Sequence, residues 1–327
     1  MVKISVVIPV YNVAPYLSQC LDSVLGQTFQ DTEVLCVNDC STDGSLELLQ
    51  QYAAQNKRIK IFSNAQNIGA ALSRNVGLDN AIGEYVYFVD SDDWLEPNYL
   101  EVMLGTIEKV QTDIVLNMNI LQETPQGGTP LELGPQLKFD DCGEFFDRYN
   151  MIANTPCLLW ARFYKRDFLN KHNLRIPDTQ KTCEDLIFHY ISHIWSEKSF
   201  VFKGAAYHYR IRQESITGQA KSAKYWDTHF IAAYDVIYDY YKEQGFLENL
   251  PIPIFHIMSC FNIDNAEKFV IYQDYLKKTK SYFDAHPDVY NELVRYVAEI
   301  VCKAKDFDDF KAHHITSLAV DFLRHRK

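Results

Sequence analysis

The sequence predicts an α/β protein with a doubly wound, mostly parallel sheet, followed by a helical C-terminal region. Short β-branched segments alternate with amphipathic helical segments between residues 4 and 118. An apolar run at 85–89 ends abruptly in three carboxylates within four residues. After about residue 225, long aromatic-rich helical patterns replace this alternation. Strands separated by helices at this spacing form parallel sheets, because each helix must carry the chain back across the sheet.

The first half of the chain supplies five strands and four helices. The predicted strands are 4–11, 32–37, 59–62, 85–89 and 113–118, and the predicted helices are 15–27, 45–55, 70–81 and 96–110. Each strand is a short run of β-branched or aromatic residues. The first helix repeats apolar residues on one face, beginning with Tyr16 and Leu17. Polar segments at 38–44 and 67–69 separate strands from the helices that follow them.

The second half is less regular. Residues 122–136 carry three prolines and three glycines, which predicts a surface loop or hairpin. The pattern then indicates helices at 143–154 and 184–195 and a strand pair at 199–212, before helical stretches at 225–243, 255–283, 288–304 and 307–325. We therefore expect a first domain over 1–220 and a helical extension over 221–327, with the boundary near 218–224.

Composition excludes several classes of protein. The 327 residues are 47% hydrophobic and 23% charged, as in ordinary globular proteins. A net charge of -11 argues against nucleic acid as a partner, because phosphate backbones select basic faces. The eight cysteines lack the spacing of a zinc site or a disulfide framework. With neither a signal-peptide layout nor a membrane-spanning run, we expect a cytoplasmic protein with reduced thiols.

The acidic cluster after residue 89 predicts a divalent cation. Asp90, Asp92 and Asp93 follow a buried strand, and ligands of open α/β sheets bind at the carboxyl ends of strands. Adjacent carboxylates repel one another unless a cation lies among them. Oxygen ligands without His or Cys favour Mg²⁺ or Mn²⁺, which usually serve phosphate substrates. The alternative is a solvated turn in which one carboxylate caps the next helix.

Four motifs, in order, resemble the family 2 glycosyltransferases. They are VIPVYN at 7–12, VNDCSTDG at 37–44, NIG with SRNVG at 67–77, and FVDSDD at 88–93. CED at 183–185 and HYRIRQESIT at 208–217 resemble later motifs of bacterial polysaccharide and lipopolysaccharide members. The resemblance covers about residues 1–218 and implies an inverting enzyme of the GT-A fold, a Rossmann-like mixed sheet, that uses a nucleotide-sugar donor. One departure is Cys40, where the family usually has glycine.

The resemblance implies a donor site along the strand ends. Its expected members are Pro9, Val10, Tyr11, Asn12, Asp39, Asn67, Gly69, Arg74, Asp90, Ser91, His208, Arg212 and Ser215. Pro9, Val10 and Tyr11 would lie beside a uracil-sized base, and Asp39 would accept its imide N–H. Asn67 and Gly69 precede a helix whose first amides suit an anion. Arg74, one turn later, suits the diphosphate or the acidic cluster; otherwise it is a surface arginine.

Metal and acceptor roles follow from the same resemblance. Asp92 would be the direct metal ligand, and Asp90 would lie near the ribose and sugar. Inversion by single displacement needs a base for the acceptor hydroxyl, and we assign Asp185 at the start of a helix. A carboxylate that only caps that helix would look identical in sequence. Glu184 would contact the acceptor or the backbone.

Four further predictions have equally plain structural alternatives. Trp160 is a candidate platform for an acceptor sugar or a core tryptophan. His208, Arg212 and Ser215 would close over the diphosphate as a lid, unless His208 is an ordinary strand histidine. The aromatic stripe that includes Tyr234 and Tyr241 favours a core or a homodimer interface. The basic end, 323–327, suits either anionic lipid at the inner membrane face or solvent.

These observations together predict a metal-dependent inverting glycosyltransferase. Its donor would be a UDP-sugar and its acceptor a saccharide or lipid-linked saccharide in surface-glycan assembly, with no nucleic acid involved. A nucleotidyltransferase on a similar sheet is the first rival, although residues 11–15 lack the basic Gly-rich loop that holds a triphosphate. A non-catalytic nucleotide or sugar binder is the second.

Overall fold

The structure is a computed structural model. It describes residues 2–124, 127–130, 143–148, 151–152, 155–178 and 183–212, and parts of the chain between 229 and 312. The chain divides into two compact units, Met1–Gln219 and Ala220–Lys327. No helix among the described residues has the length and apolarity needed to cross a membrane.

The first unit contains twelve described strands and six described helices. The strands are β1 Ile4–Val10, β2 Thr32–Asn38, β3 Ile59–Ser63, β4 Tyr85–Phe88, β5 Trp94–Leu95, β6 Ile114–Asn117, β7 Ile120–Thr124, β8 Gly127–Pro130, β9 Glu144–Asp147, β10 Arg162–Lys165, β11 Lys198–Phe202 and β12 Tyr207–Arg210. The helices are α1 Ala14–Leu25, α2 Ser45–Gln55, α3 Ala70–Asp79, α4 Tyr99–Val110, α5 Arg166–Lys171 and α6 Glu184–His193. A 3-10 turn spans Leu159–Ala161.

The main sheet has eight strands in the order β3-β2-β1-β4-β10-β6-β11-β9. Strands β3, β2, β1 and β4 pair in parallel, as predicted. Strand β10 runs antiparallel between β4 and β6, and β9 is antiparallel to β11 at the edge. A second sheet has the order β5-β12-β7-β8. The fold is therefore the predicted mixed, mostly parallel α/β architecture.

The core explains why these segments are strands and helices. Every residue of β1, β2 and β4 is buried, so their near-continuous apolar composition fits strands covered on both faces. Helix α1 buries Leu17, Cys20, Leu21 and Val24, which recur at helical spacing. Helix α3 lies close to β1, since a Cβ at Gly77 would stand 2.3 Å from Cγ1 of Val7.

The structure corrects three sequence predictions. Residues 144–147 form a strand and not a helix, because they pair with β11 and Phe145 stacks edge-on against Phe200. The strands within 199–212 exist but do not pair with each other: β11 joins β6, whereas β12 joins β7. Strand β10 was not predicted, because charged residues at both ends of its four-residue segment interrupt the apolar run that identified β4 and β6.

The second unit is helical where it is described. Helix α7 spans Phe307–Ala312. Its Phe310 packs against Phe269, with ring centroids 5.3 Å apart. The amide of Gln273 donates to the carbonyls of Val301 and Ala304 at 2.9 and 2.7 Å. The predicted basic end at 323–327 lies outside the described residues.

Candidate active site

Polar side chains meet at the carboxyl ends of the parallel strands of the main sheet, which we call the site edge. Strands β1, β2 and β4 end there, because they run in parallel. Strand β10 runs the other way, so its first residue, Arg162, lies at the edge where β4 ends. The segment before β10 therefore reaches the same edge as the acidic segment after β4. This is the expected ligand position in an open α/β sheet.

Asp39 is buried at the end of β2 and organises the neighbouring loop. It is 2% exposed. Its Oδ1 accepts hydrogen bonds from Asn64 Nδ2 and the Ile68 backbone N–H at 2.8 and 2.9 Å. Its Oδ2 accepts the Gly69 N–H at 2.8 Å. The carboxylate thus holds the loop before α3. Its Oδ2, which accepts one hydrogen bond from the described residues, has the capacity to accept another.

The predicted base pocket presents one exposed side chain. Pro9 and Val10 are buried, whereas Tyr11 is 50% exposed. Asn12 has φ 47°, and its Oδ1 accepts the Thr42 N–H at 2.8 Å, which joins the loops after β1 and β2. Only Tyr11 of these residues can offer a ring face to a base.

Cys40 adopts the backbone conformation that glycine favours. Its φ is 63°, in the left-handed region, and its side chain is exposed. The departure from the family pattern therefore does not alter the turn after Asp39. It places a thiol beside the loop that Asn12 joins to it.

The loop before α3 uses its amides internally. Asn67 is exposed, and Gly69 has φ 88°, a conformation that residues with a Cβ rarely adopt. The N–H groups of Ile68 and Gly69 both bond Asp39. These two amides are therefore committed to the protein, and Asn67 is the exposed group of the NIG motif.

Arg74 joins two acidic segments from beneath. Its guanidinium donates to Asp90 Oδ1 at 2.6 Å and pairs with Glu184 Oε1 at 3.4 Å. The residue is 5% exposed. Burial opposes its charge, but Asp90, Asp185 and Glu184 outweigh burial and hold its pKa above the usual value. Of the two predicted contacts, Arg74 makes the one to the acidic cluster.

Asp185 is held as a carboxyl group that titrates near neutrality. Burial raises its pKa to about 7, Arg74 opposes that rise, and the charges of Glu184 and Asp90 add to it. Its Oδ2 accepts the Leu159 N–H at 3.5 Å. Its Oδ1 is buried and has no hydrogen-bond partner in the part of the chain that the structure describes. A pKa near the working pH is what a general base needs.

The three carboxylates after β4 do not share one cation. Asp90 pairs with Arg74. Asp93 is 1% exposed, and it accepts the Tyr207 hydroxyl and the Arg210 N–H, both at 2.7 Å. Burial, with the charges of Asp92 and Asp90, raises the pKa of Asp93 well above its usual value. Within the described residues, no group of three acidic, His or Cys side chains is placed to hold a metal, and the metal ligand assigned to Asp92 stays a prediction.

Asp92 forms an ion pair with a guanidinium from the segment that follows β12. The Arg212 Nε lies 2.6 Å from Asp92 Oδ2, and the guanidinium stands 5.2 Å from the ring centroid of Tyr16. Burial and the charge of Asp90 raise the pKa of Asp92, whereas Arg212 lowers it. Because Asp92 already has a cationic side chain beside it, its surroundings are compatible with a bound metal ion. Mg²⁺ needs only one or two protein carboxylates, because water and substrate phosphates complete its shell.

The remaining candidates are engaged within the protein. Both ring nitrogens of His208 face carboxylates, Glu123 at 2.5 Å and Glu96 at 3.0 Å, and its ring stacks on Trp94 at 4.9 Å. Ser91 is 8% exposed. These contacts match the alternative of an ordinary strand histidine. Ser215 lies outside the described residues.

Trp160 is packed in the interior. It is 5% exposed and stacks on Tyr207 and Tyr209, with ring centroids 4.3 and 5.5 Å away. Its backbone carbonyl accepts the hydroxyl of Tyr87 at 2.7 Å. This environment matches the core alternative more closely than a sugar platform.

Sequence reasoning missed the residues that support the site. Asn64 follows β3 directly, the same signal that identified Asp39 after β2. Arg162 is 1% exposed, and it bonds the carbonyls of Pro156 and Leu158 at 2.6 Å. It thereby fixes the segment whose Leu159 N–H reaches Asp185. A lone arginine in an apolar run was the available signal for Arg162.

The sequence match agrees with this geometry. Residues 5–153 match the model of the family described as glycosyl transferase family 2. Residues 5–153 thus carry a glycosyltransferase family 2 domain. The predicted family and the predicted enzyme class are confirmed.

Individual relatives of this glycosyltransferase are bacterial. The putative glycosyltransferase EpsH of Bacillus subtilis is 32% identical over 65% of the chain and 62% of EpsH. The poly(ribitol-phosphate) β-glucosyltransferase of Bacillus spizizenii is 30% identical over 65% of the chain and 33% of that protein. The chain thus spans between a third and two thirds of the length of these curated relatives.

A solved structure has the same fold as this glycosyltransferase. S. aureus TarS 1–349, crystallised in complex with UDP-GlcNAc, has a TM-score of 0.64 at 22% identity and covers 98% of this chain and 92% of that one. At this identity the likeness supports the GT-A fold.

Proposed function

We propose that the protein is an inverting glycosyltransferase that moves a sugar from a UDP-sugar to a saccharide or lipid-linked saccharide in bacterial surface-glycan assembly. The proposal depends mainly on one observation: Asp185, with a buried oxygen that lacks a described partner and a pKa of about 7, lies within the electrostatic influence of Arg74, which pairs with Asp90 at the end of β4. The charge of one guanidinium thus acts on both the candidate base and the site edge.

The acceptor hydroxyl gives its proton to Asp185 as its oxygen attacks the anomeric carbon. The bond between that carbon and the diphosphate oxygen breaks in the same step, and the electron pair leaves with the nucleoside diphosphate. Because attack and departure are on opposite faces, the configuration inverts. Arg74 holds Asp90 and Glu184 in place while Asp185 changes its charge.

Asp92 is the residue that would hold Mg²⁺ or Mn²⁺, with donor phosphates completing the ligand shell. The cation would supply positive charge to the leaving diphosphate. On the protein side, Tyr11 offers an exposed ring for the base, and Asp39 Oδ2 has capacity for one further N–H. Arg212, beside Asp92, offers a guanidinium to a phosphate oxygen.

The donor and acceptor classes are supported by the relatives. TarS was crystallised with UDP-GlcNAc, and the Bacillus spizizenii relative is named for glucosylation of poly(ribitol-phosphate). We extend both to this chain as classes: a uridine nucleotide and a surface polymer or its lipid-linked precursor. A cytoplasmic position, peripheral to the inner membrane face, follows from such an acceptor.

The test is metal-dependent binding of UDP. We expect calorimetry to show UDP binding with Mn²⁺ that EDTA abolishes, and we expect Asp92→Asn to lose the Mn²⁺-dependent part while its fold is unchanged by circular dichroism. Equal UDP affinity of wild type and Asp92→Asn would refute the metal assignment. A screen of UDP- and GDP-sugars by thermal shift then identifies the donor, because a ligand at 100 times its Kd adds about 2.7 kcal/mol to the unfolding free energy.

The stereochemistry tests the reaction type independently. We expect the proton NMR spectrum of the product to show the anomeric configuration opposite to that of the donor. Retention of configuration would exclude single displacement with Asp185 as base.

A further inference from the structure

Arg212 occupies the position at Asp92 where a metal ion would supply charge. The ion pair measures 2.6 Å, and the side chains of Arg212 and Asp92 are only 22% and 16% exposed. The ring of Tyr16 supports the guanidinium at 5.2 Å. A carboxylate with so little exposure needs a cationic partner. Here the partner comes from the segment just after β12, more than a hundred residues along the chain.

We propose that Arg212 and the divalent cation compete for the Asp92 carboxylate, so that Arg212 is a built-in substitute for the metal. When the metal binds, the guanidinium leaves Asp92 and is free to pair with the donor diphosphate. This inference depends on the proposed function, because it takes Asp92 as the metal ligand.

Competition with Arg212 lowers the apparent affinity for the metal when no nucleotide is present. The apparent affinity of a site falls by the fraction of time that the site is open. An ion pair that is formed about nine-tenths of the time lowers the apparent Mn²⁺ affinity about tenfold. A nucleoside diphosphate offsets this cost, since it accepts the displaced guanidinium and adds phosphate ligands to the metal. Mn²⁺ and UDP therefore strengthen each other's binding, and by the same factor in both directions.

Arg210 provides a matched control two residues away. Its guanidinium also stands near Tyr16, with Cζ 5.0 Å from the ring centroid. However, its Nε donates to the backbone carbonyl of Asp92 at 2.8 Å, and its terminal nitrogen donates to Gln19 Oε1 at 2.6 Å. Removing either arginine removes one positive charge from the same part of the site, but of the two only Arg212 forms an ion pair with the Asp92 carboxylate in the described structure.

The experiment measures Mn²⁺ binding to the full chain by the electron paramagnetic resonance signal of free Mn²⁺, without nucleotide. We expect Arg212→Gln to bind Mn²⁺ about tenfold more tightly than wild type, and Arg210→Gln to change the affinity by much less. Arg212→Lys keeps the charge and should stay near wild type. In calorimetry with saturating Mn²⁺, Arg212→Gln should bind UDP at least tenfold more weakly, because a charge-assisted contact to phosphate is lost.

The outcomes separate this inference from the proposed function. If wild type binds Mn²⁺ and UDP in an Asp92-dependent way but Arg212→Gln leaves the affinity for Mn²⁺ alone unchanged, the competition is refuted and the proposed function stands. If Arg210→Gln tightens Mn²⁺ binding as much as Arg212→Gln does, the effect is general electrostatics and the competition is again refuted. If Mn²⁺ binds no variant even with UDP, both fail. Circular dichroism confirms that each variant is folded.

Discussion

Asp185 shows how a single side chain obtains a pKa suited to its proposed task. Burial alone favours the neutral acid, and the neighbouring charges of Glu184 and Asp90 act in the same direction. Arg74 opposes them, so the carboxyl group is neither locked as an acid nor fully ionised at neutral pH. Each of these neighbours belongs to a different segment, and the packing of the first unit brings them together.

The first prediction at this scale concerns Asp185→Asn. We expect it to bind Mn²⁺ and UDP like wild type and to lower kcat by ~10²–10⁴-fold, because the amide cannot accept the acceptor proton. Since the base must be ionised, kcat/KM of wild type should rise with pH through about 7 and then level off. Initial rates between pH 5 and 9 measure both effects.

Stability provides the control for Asp185→Asn. The pKa of Asp185 is higher in the folded protein than in the unfolded chain, so folding favours its neutral form. Its contribution to the free energy of unfolding is therefore complete below the unfolded pKa and is lost as pH rises through about 7. Asparagine imitates the neutral acid at every pH. We therefore expect the variant to be at least as stable as wild type at pH 8 by urea unfolding, and full activity in a stable variant would reject Asp185 as the base.

Single residues were predictable from sequence where a local pattern revealed them. Asp39, Asp90 and Asp92 follow strands, and Asp185 begins a helix, so their positions could be inferred without a partner. The partners could not: Asp93 bonds Tyr207 and Arg210, which are more than a hundred residues away. The burial of Trp160 beneath Tyr207 and Tyr209 likewise depends on a strand of the other sheet.

At the scale of elements, the position of α3 against β1 sets the position of Arg74. Gly77 lies one turn after Arg74 and faces Val7, with no room for a Cβ. The helix can approach the sheet because this residue is glycine, and Arg74 then reaches Asp90 at 2.6 Å. A small residue in the helix thus supports an ion pair at the site.

We expect Gly77→Ala to destabilise the protein by about 1–3 kcal/mol, because the new methyl group overlaps Val7 and moves α3 outward. Activity should fall more than stability predicts, since Arg74 moves with the helix. Gly105→Ala is the control: it lies in α4, where a Cβ meets nothing within 4 Å, and should stabilise by about 0.5–1 kcal/mol. Urea unfolding measures the free energy of unfolding of both variants. An equal change in that free energy for the two variants would contradict the close packing of α3 against β1.

Most elements of the first 120 residues were predictable because each carries a complete local signal. Helix α2 has the predicted bounds, and β1, β2, β3, β4 and β6 differ from prediction by one or two residues at their ends. Strands β9 and β10 were not predicted, since each begins and ends with a charged residue and lacks the continuous apolar run of β4 and β6. They are strands because partners already present in the sheet offer unpaired backbone groups.

At the scale of the whole molecule, the two sides of the proposed site come from different parts of the chain. The donor side is built by the segments that follow β1, β2 and β4, all before residue 94. The segment before β10 and the start of α6 contribute Leu159, Glu184 and Asp185. Because β10 runs antiparallel to its neighbours, both groups of segments meet at one edge.

The segment that matches the family model, residues 5–153, is not expected to fold on its own, because the reversed strand β10 lies outside it. Cutting the chain at residue 153, where the family match ends, removes β10 and β11 together. Strand β4 then has no hydrogen-bonded neighbour on one side, β6 loses the neighbours on both sides, and β9 loses its neighbour β11. Open flanks of this kind recruit other chains. We expect a 1–153 fragment to aggregate and a 1–219 fragment to elute as a discrete species in gel filtration. A monomeric 1–153 fragment that melts cooperatively would show that the sheet does not need β10 between β4 and β6.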